Sequence, residues 1–473
     1  MYKSPSTARQ ASFFWDLESM LDSRHPLFKL ANLVDWKMFE EEFASLYCKD
    51  NGRIAKPIRL MVGLLILKHL RNVSDETVVA QFCENAYYQY FCGMESFVTK
   101  QPCVPTELVE FRHRIKESGM ELILKESIRI NLVLEDKTKE EEDKKNLKDG
   151  RGRKSDAEQT VFIDSTVQEK NVTFPTDSKL LNKIIDFCHK VAKAENLKVR
   201  QSYVREIIDL KRTQRFRGRK NSTQKVKKAD KRMRTIAGRL LRELIRLLPE
   251  ENSYQEKIDI CMKFVNGEKI DGHKIYSLHE PDVVCISKGK DHKKYEFGNK
   301  VSIVRLWSGL IVGALSFRNE YDGHTIDDSM EQVRRLYDRP IRTVAGDRGY
   351  RGQATCGDAK VMIPDVPKST DSQHMKEKKH RLFRKRAGIE PVIGHCKSDH
   401  RLSRNFYKGL FGDSINVMLA AAAFNFKRAM RLLLCLIVRM VRLLYDYRIC
   451  ASDCSFETTF IHCTQMSACK LSF

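Results

Sequence analysis

At 473 residues the chain has room for about two to four domains, each with enough core to fold unaided. Lys and Arg number 85 against 62 Asp and Glu, a formal charge of +23; so large a surplus, unevenly spread, points to a polyanionic partner, nucleic acid ahead of acidic membrane. No apolar signal-peptide core follows the opening MYKSPSTARQ, which argues against secretion and against a disulfide framework for the 14 cysteines, read instead as small buried hydrophobes of a cytoplasmic protein.

Residues 1–134 are expected to form a helical N-terminal DNA-binding domain. Pro57 opens IRLMVGLLILKHL, where Ile58, Met61, Val62, Leu65 and Ile66 fall on one helix face. Ser74, followed by Asp75 and Glu76, has the character of a cap for the next helix. The pair fits a helix-turn-helix-like DNA module and equally a plain helical bundle. A third helix, capped by Thr106, carries Arg112 and Arg114, which could meet phosphates or simply be solvated. Residues 135–159 are almost wholly polar and read as a charged linker.

TVFIDSTVQEK follows, an apolar, β-branched run that reads as a buried strand with Asp164 near its end. Residues 178–248 turn helical again and form a basic insertion after that first strand. Within it, 211–234 holds twelve Lys or Arg and a single acid, Asp230. An unmixed run of that kind favours phosphate-backbone contact through Lys211, Arg212, Arg215, Arg217, Arg219, Lys220, Lys227, Lys228, Lys231 and Arg232. From 282 to 365 short strands surround a helix expected over 326–337, so with the Asp164 strand they make an α/β sheet domain. His324, in YDGHTIDD, is read as a structural, hydrogen-bonded histidine.

A further helix is expected over 414–447, capped by Ser414. The apolar window 417–438 contains Lys427, Arg428 and Arg431 near its middle, so it is read as amphipathic helix rather than a membrane span. Residues 431–473 form an atypical extension. There Cys450, Cys454, Cys463 and Cys469, with His462, lack the short paired spacings of common zinc sites.

Three acids stand out by context. Asp164 ends VFID, Asp347 follows TVAG, and Glu390 is the one carboxylate among seven Lys or Arg between Lys378 and Lys397. Acids at strand ends are held by a rigid scaffold, as metal sites require. Each also has a bland alternative: a turn cap, a turn acid, or an ion pair from Glu390 to Arg386 four residues earlier. Phe383, Arg386, Glu390 and Lys397 would share roughly 60° of a helix face. Gly388 and Pro391 instead predict a main helix starting near Pro391, with Arg386 on a preceding turn.

FIDST, GDRGYRG and the Arg386-x3-Glu390-x6-Lys397 spacing resemble bacterial insertion-sequence transposases of the DDE type, as do KPIRLMVGLLILKHLRNVSDETVV and KGKDHKKYEFGNKVSIV. The similarity covers roughly 13–130 and 158–428; the tyrosine of the family's Tyr-Arg-Glu-Lys signature is replaced by Phe383. The resemblance implies a ribonuclease H-like mixed sheet with flanking helices over 160–430, and two Mg²⁺ ions (Mn²⁺ as a substitute) on Asp164, Asp347 and Glu390. Arg386, Lys397 and Arg348 would contact phosphates at the cut site. It further implies double-stranded DNA as partner, both terminal inverted repeats and target. A homodimer or larger synaptic assembly would act in the bacterial cytoplasm, associated with the nucleoid when on DNA. Water would release a 3′-hydroxyl at the element end, and that hydroxyl would attack target DNA. The competing expectations are a nuclease of the same fold without strand transfer, and a non-catalytic DNA-binding descendant.

Overall fold

Strand β1, Thr160–Lys170, organises the molecule. Its apolar residues fall on both parities, as in a strand covered on both faces, and it is buried along most of its length. It continues six residues past Asp164, so that acid stands within the strand rather than at its end. The computed structural model describes residues 16–48, 53–145, 159–216, 223–287, 294–364 and 372–453. In it β1 pairs antiparallel with β3, Glu296–Leu306, and parallel with β5, Thr343–Ala345. On the β3 side, β2 (Val284–Ile286) and β4 (Ile311–Phe317) both pair antiparallel with β3. On the other side β5 pairs parallel with β7 (Ala359–Met362), which takes the short β6 (Thr355–Cys356) antiparallel. β8, Arg404–Asn405, joins the far end of β1. The result is a mixed sheet flanked by helices.

The helix expected over 326–337 is present as Ile326–Leu336. Ser74 caps Asp75–Glu84, its hydroxyl accepting from the Thr77 amide at 3.1 Å. Helix Ile58–Leu70 departs from expectation: it is buried on every side rather than along one stripe, Lys68 and His69 included. It lies between the N-terminal helices and the last helix of the chain, so no face meets water. Helix Pro105–Lys145 begins one residue before the expected cap Thr106 and is interrupted at Lys116, whose φ of 55° and ψ of −162° are not helical.

That helix also runs into the segment expected to be a linker. Its charged turns are anchored at a distance: Arg428 donates to Glu135 at 2.5 Å and Arg339 to Asp136 at 2.9 Å. The last helix, Gly409–Asp453, likewise starts before Ser414 and continues into the residues read as an extension. The basic insertion comprises Asp177–Ala194, Val204–Arg215 and Thr223–Leu247, and the helix Gln255–Asn266, beyond its expected end at 248, packs with them. Their apolar stripes, among them Leu181, Ile184, Ile185, Cys188, Ile236, Leu240 and Leu244, close on one another as a separate core. Cysteines among the described residues are free and mostly buried.

A buried polar network joins these parts at the end of β1. Lys170 lies 3.0 Å from Asp413 and 3.2 Å from Glu280. Asp413 also accepts from Gln168 on β1, Asn405 on β8 and Asn299 on β3. Asn416 extends the network, donating to Gln168 at 2.7 Å and meeting His69 at 3.2 Å. Removing one member of a buried ion pair leaves its partner uncompensated. Asp413→Ala is therefore expected to lose about 3–5 kcal/mol of stability, read by urea unfolding; an unchanged midpoint would contradict the network's role.

Candidate active site

The parallel register of β1 and β5 decides where two of the acids stand. It runs Thr160 with Thr343, Val161 with Val344 and Phe162 with Ala345. Continued two residues further, it sets Asp347 level with Asp164, and side chains at one register level share a face. β5 ends at Ala345 because Asp347 turns the chain: its carboxylate accepts from the Gly349 amide at 2.9 Å and caps the turn Arg348–Tyr350. Asp164 accepts from the Ser165 amide at 2.8 Å. Tyr350, at the end of that turn, is wholly buried. Burial, then the charges of Asp322, Asp164 and Asp347, push its phenol well above the usual range. Apart from a loose approach to Ser302, its hydroxyl has no well-formed hydrogen bond.

Asp322 lies in YDGHTIDD, where the sequence drew attention only to His324. It opens the turn Asp322–Thr325, two residues before His324. His324 itself is exposed, with its ring edge against Tyr321 at 5.6 Å.

The region around Glu390 forms two helices, Gln373–Arg386 and Ile389–Asp399, broken at Ala387 and Gly388. The second starts just before Pro391, which its first turn tolerates. Arg386, at the end of the first, points its guanidinium at Asp164, Nη1 to Oδ2 at 3.5 Å, with each side chain 16% exposed. Ile389, Val392, Ile393 and Cys396 face the core. Glu390 is thereby turned outward and exposed, while Lys397 is half-buried. Among the described residues no three His, Cys, Asp or Glu side chains are arranged to hold a metal ion. The expected three acids thus form no ready-made cluster: Arg386 meets Asp164, Asp347 caps the turn after β5, and Glu390 is exposed.

The pair nonetheless suits a small oxygen-seeking dication. Mg²⁺ typically takes one or two carboxylates and completes its shell with water and substrate phosphate. Here the carboxylates of Asp164 and Asp347 both act on the buried Tyr350 hydroxyl, which has no well-formed hydrogen bond.

Two family models match this chain: Transposase domain (DUF772) over residues 15–114 and Transposase DDE domain over residues 270–426. A Rhizobium meliloti protein described as "Uncharacterized protein ORF8 in nfe locus" is 35% identical over 201 residues, which is 42% of this chain and 89% of that protein. The chain belongs to the DDE transposase family. No solved structure matches it. The DDE match contains Asp347, Arg386, Glu390 and Lys397 but not Asp164, which reaches the site through the pairing of β1 with β3 and β5.

The transposase distributes its basic residues less simply than the sequence suggested. Arg112 is a correction: its guanidinium makes two hydrogen bonds to Asp75, at 2.8 and 3.0 Å, and its side chain is 5% exposed. Lys68 meets the same carboxylate at 2.9 Å, and both cations lie 4.5 Å from the Tyr407 ring. Burial pulls Lys68 down to about 7, while Arg112 and Lys68 hold Asp75 low against its own burial. Arg112 is therefore unavailable to phosphate.

Arg114 is exposed over the Tyr47 ring, and Arg348 is exposed beside the site. In the insertion, Lys211 pairs with Asp186, Arg212 with Asp209 and Arg232 with Glu206. Arg215, Lys227, Lys228 and Lys231 are exposed, and Arg217, Arg219 and Lys220 lie outside the described residues. Arg112→Ala is expected to cost about 3–5 kcal/mol in urea unfolding, as for other broken buried pairs. A variant of wild-type stability with weakened DNA binding would restore a phosphate role for Arg112.

Proposed function

We propose that this transposase is the enzyme of an insertion sequence, which binds the element's terminal inverted repeats and performs Mg²⁺-dependent strand cleavage and strand transfer by in-line phosphoryl transfer. What supports it most is that Asp164, within β1, and Asp347, two residues beyond the end of β5, follow the parallel register of those two strands, in a chain of the DDE transposase family. In this assignment residues 1–134 are the DNA-binding domain, 135–159 connect it to a ribonuclease H-like catalytic domain at 160–430, the helices of 178–248 are a DNA-binding insertion, and 431–473 are an extension. Two copies, one for each element end, would form the synaptic complex on chromosomal DNA in the bacterial cytoplasm. Among the described residues no helix is long and apolar enough to cross a membrane.

Asp164, Asp347 and Glu390 would hold two Mg²⁺ ions, or Mn²⁺ in their place, whose chemistry is to stabilise charge on the attacking and leaving oxygens. Asp164 and Asp347 form the fixed part of that donor set; Glu390, exposed in the first turn of its helix, joins when DNA is bound. Arg386 neutralises Asp164 in free protein and would exchange that carboxylate for a phosphate, for which its planar fork is well suited. Lys397 and Arg348 would contact flanking phosphates. A water oxygen bonds to phosphorus as the bond to the element's 3′-oxygen breaks, releasing a 3′-hydroxyl. That hydroxyl then displaces a 3′-oxygen in target DNA, so no protein nucleophile is consumed.

Asp164→Asn is expected to abolish Mg²⁺-dependent cleavage of element-end DNA while leaving binding nearly intact in a mobility-shift assay. Undiminished cleavage would remove Asp164 from the site, and wild-type cleavage without joining would favour a nuclease. Replacing Lys227, Lys228 and Lys231 with Gln should lower the slope of log affinity against log salt by about 0.9 for each phosphate that the variant no longer neutralises. An unchanged slope would rule out a phosphate-binding role for these three lysines.

A further inference from the structure

We infer that Asp322 is a positioning residue of the same cation site, facing Asp347 across Gly349 and balanced by Lys300, so that Asp322 strengthens and Lys300 restrains the capture of a divalent ion. The inference rests on the cation-binding reading of Asp164 and Asp347. Its geometry comes from two turns that touch, Asp322–Thr325 and Arg348–Tyr350. A Cβ placed on Gly349 would lie 3.0 Å from Asp322 Oδ2 and 3.0 Å from Asp347 Oδ1. The two oxygens are therefore no further apart than the sum of those distances, with only a glycine between them. At Gly323 a Cβ would meet the Arg351 carbonyl at 2.9 Å, so both turns use glycine to approach so closely.

The wholly buried Tyr350 hydroxyl, lacking a well-formed hydrogen bond, is the second sign that this cluster is built for a ligand. Asp322, Asp164 and Asp347 all act on it electrostatically. Each of two acids carries a protein cation: Arg386 on Asp164 at 3.5 Å, and Lys300 on Asp322 at 3.2 Å. Lys300 extends from β3 and is largely buried. A fixed ammonium beside a cation site opposes an entering metal ion, and a fixed carboxylate attracts it. Asp322 and Lys300 thus set the local charge from opposite sides, without either needing to ligate the ion.

The test is Mn²⁺ binding to the full chain, followed by the loss of free-ion paramagnetic resonance signal, with melting temperature measured in parallel. Asp322→Asn keeps the side chain's shape and removes its charge; it is expected to weaken Mn²⁺ binding by about 10- to 100-fold, the usual effect of losing an outer-shell partner. Lys300→Gln is expected to tighten binding. A purely structural pair would give losses in both variants together with lowered melting temperatures. Wild-type affinity in Asp322→Asn, or weakened binding in Lys300→Gln, would overturn the inference. If Asp164→Asn abolishes binding while Asp322→Asn binds Mn²⁺ with wild-type affinity, only this inference falls. If the wild-type chain binds no Mn²⁺, the cation-site reading falls and takes the inference with it.

Discussion

The parallel pairing of β1 with β5 is the constraint on which the site depends. Strand register has a period of two, so a slip of one residue would send Asp164 to the opposite face from Asp347. Register is therefore defended from several directions. β3 pairs with β1 along nearly its whole length, and the buried group around Asp413 clamps Gln168 and Lys170 at its end. That clamp draws on β3, β8, helix Ile58–Leu70 and the last helix. The placement of one carboxylate is thus a property of much of the chain rather than of its local strand.

Charge is the second constraint. Acids gathered beside a buried phenol repel one another, and in the free protein that repulsion is met by the protein's own cations: Arg386 on Asp164 and Lys300 on Asp322. These pairs make the cluster tolerable before any metal or DNA arrives. Under the proposed function, substrate binding would exchange Asp164 for a phosphate as the partner of Arg386. In the proposed function, Glu390, exposed in the free protein, and the phosphates of DNA would supply the remaining oxygens.

Much of this was legible locally. The strand of VFID, the Ser74 cap and the helix at 326–336 follow from patterns a few residues long. What the sequence hid was carried by distant partners. Arg112 looked like a phosphate ligand because Asp75 is 37 residues away. The charged turns after Leu134 looked like a linker because Arg428 and Arg339 are far along the chain. The run at 211–234 looked unmixed because its acids, Asp186, Asp209 and Glu206, lie outside that window. Glu390 carried the right spacing, but the break at Ala387 and Gly388 and the inward face of Ile389, Val392, Ile393 and Cys396 turn it to solvent. Asp322 belongs to no spacing pattern at all; only the packing of two turns brings it in.

The most direct measurement is an anomalous difference map from crystals of the transposase grown with element-end DNA and Mn²⁺. The account predicts a metal peak shared by the carboxylates of Asp164 and Asp347, with Arg386 withdrawn from Asp164 onto a DNA phosphate. Mn²⁺ bound elsewhere, with Asp164 still held by Arg386 while DNA is present, would contradict it.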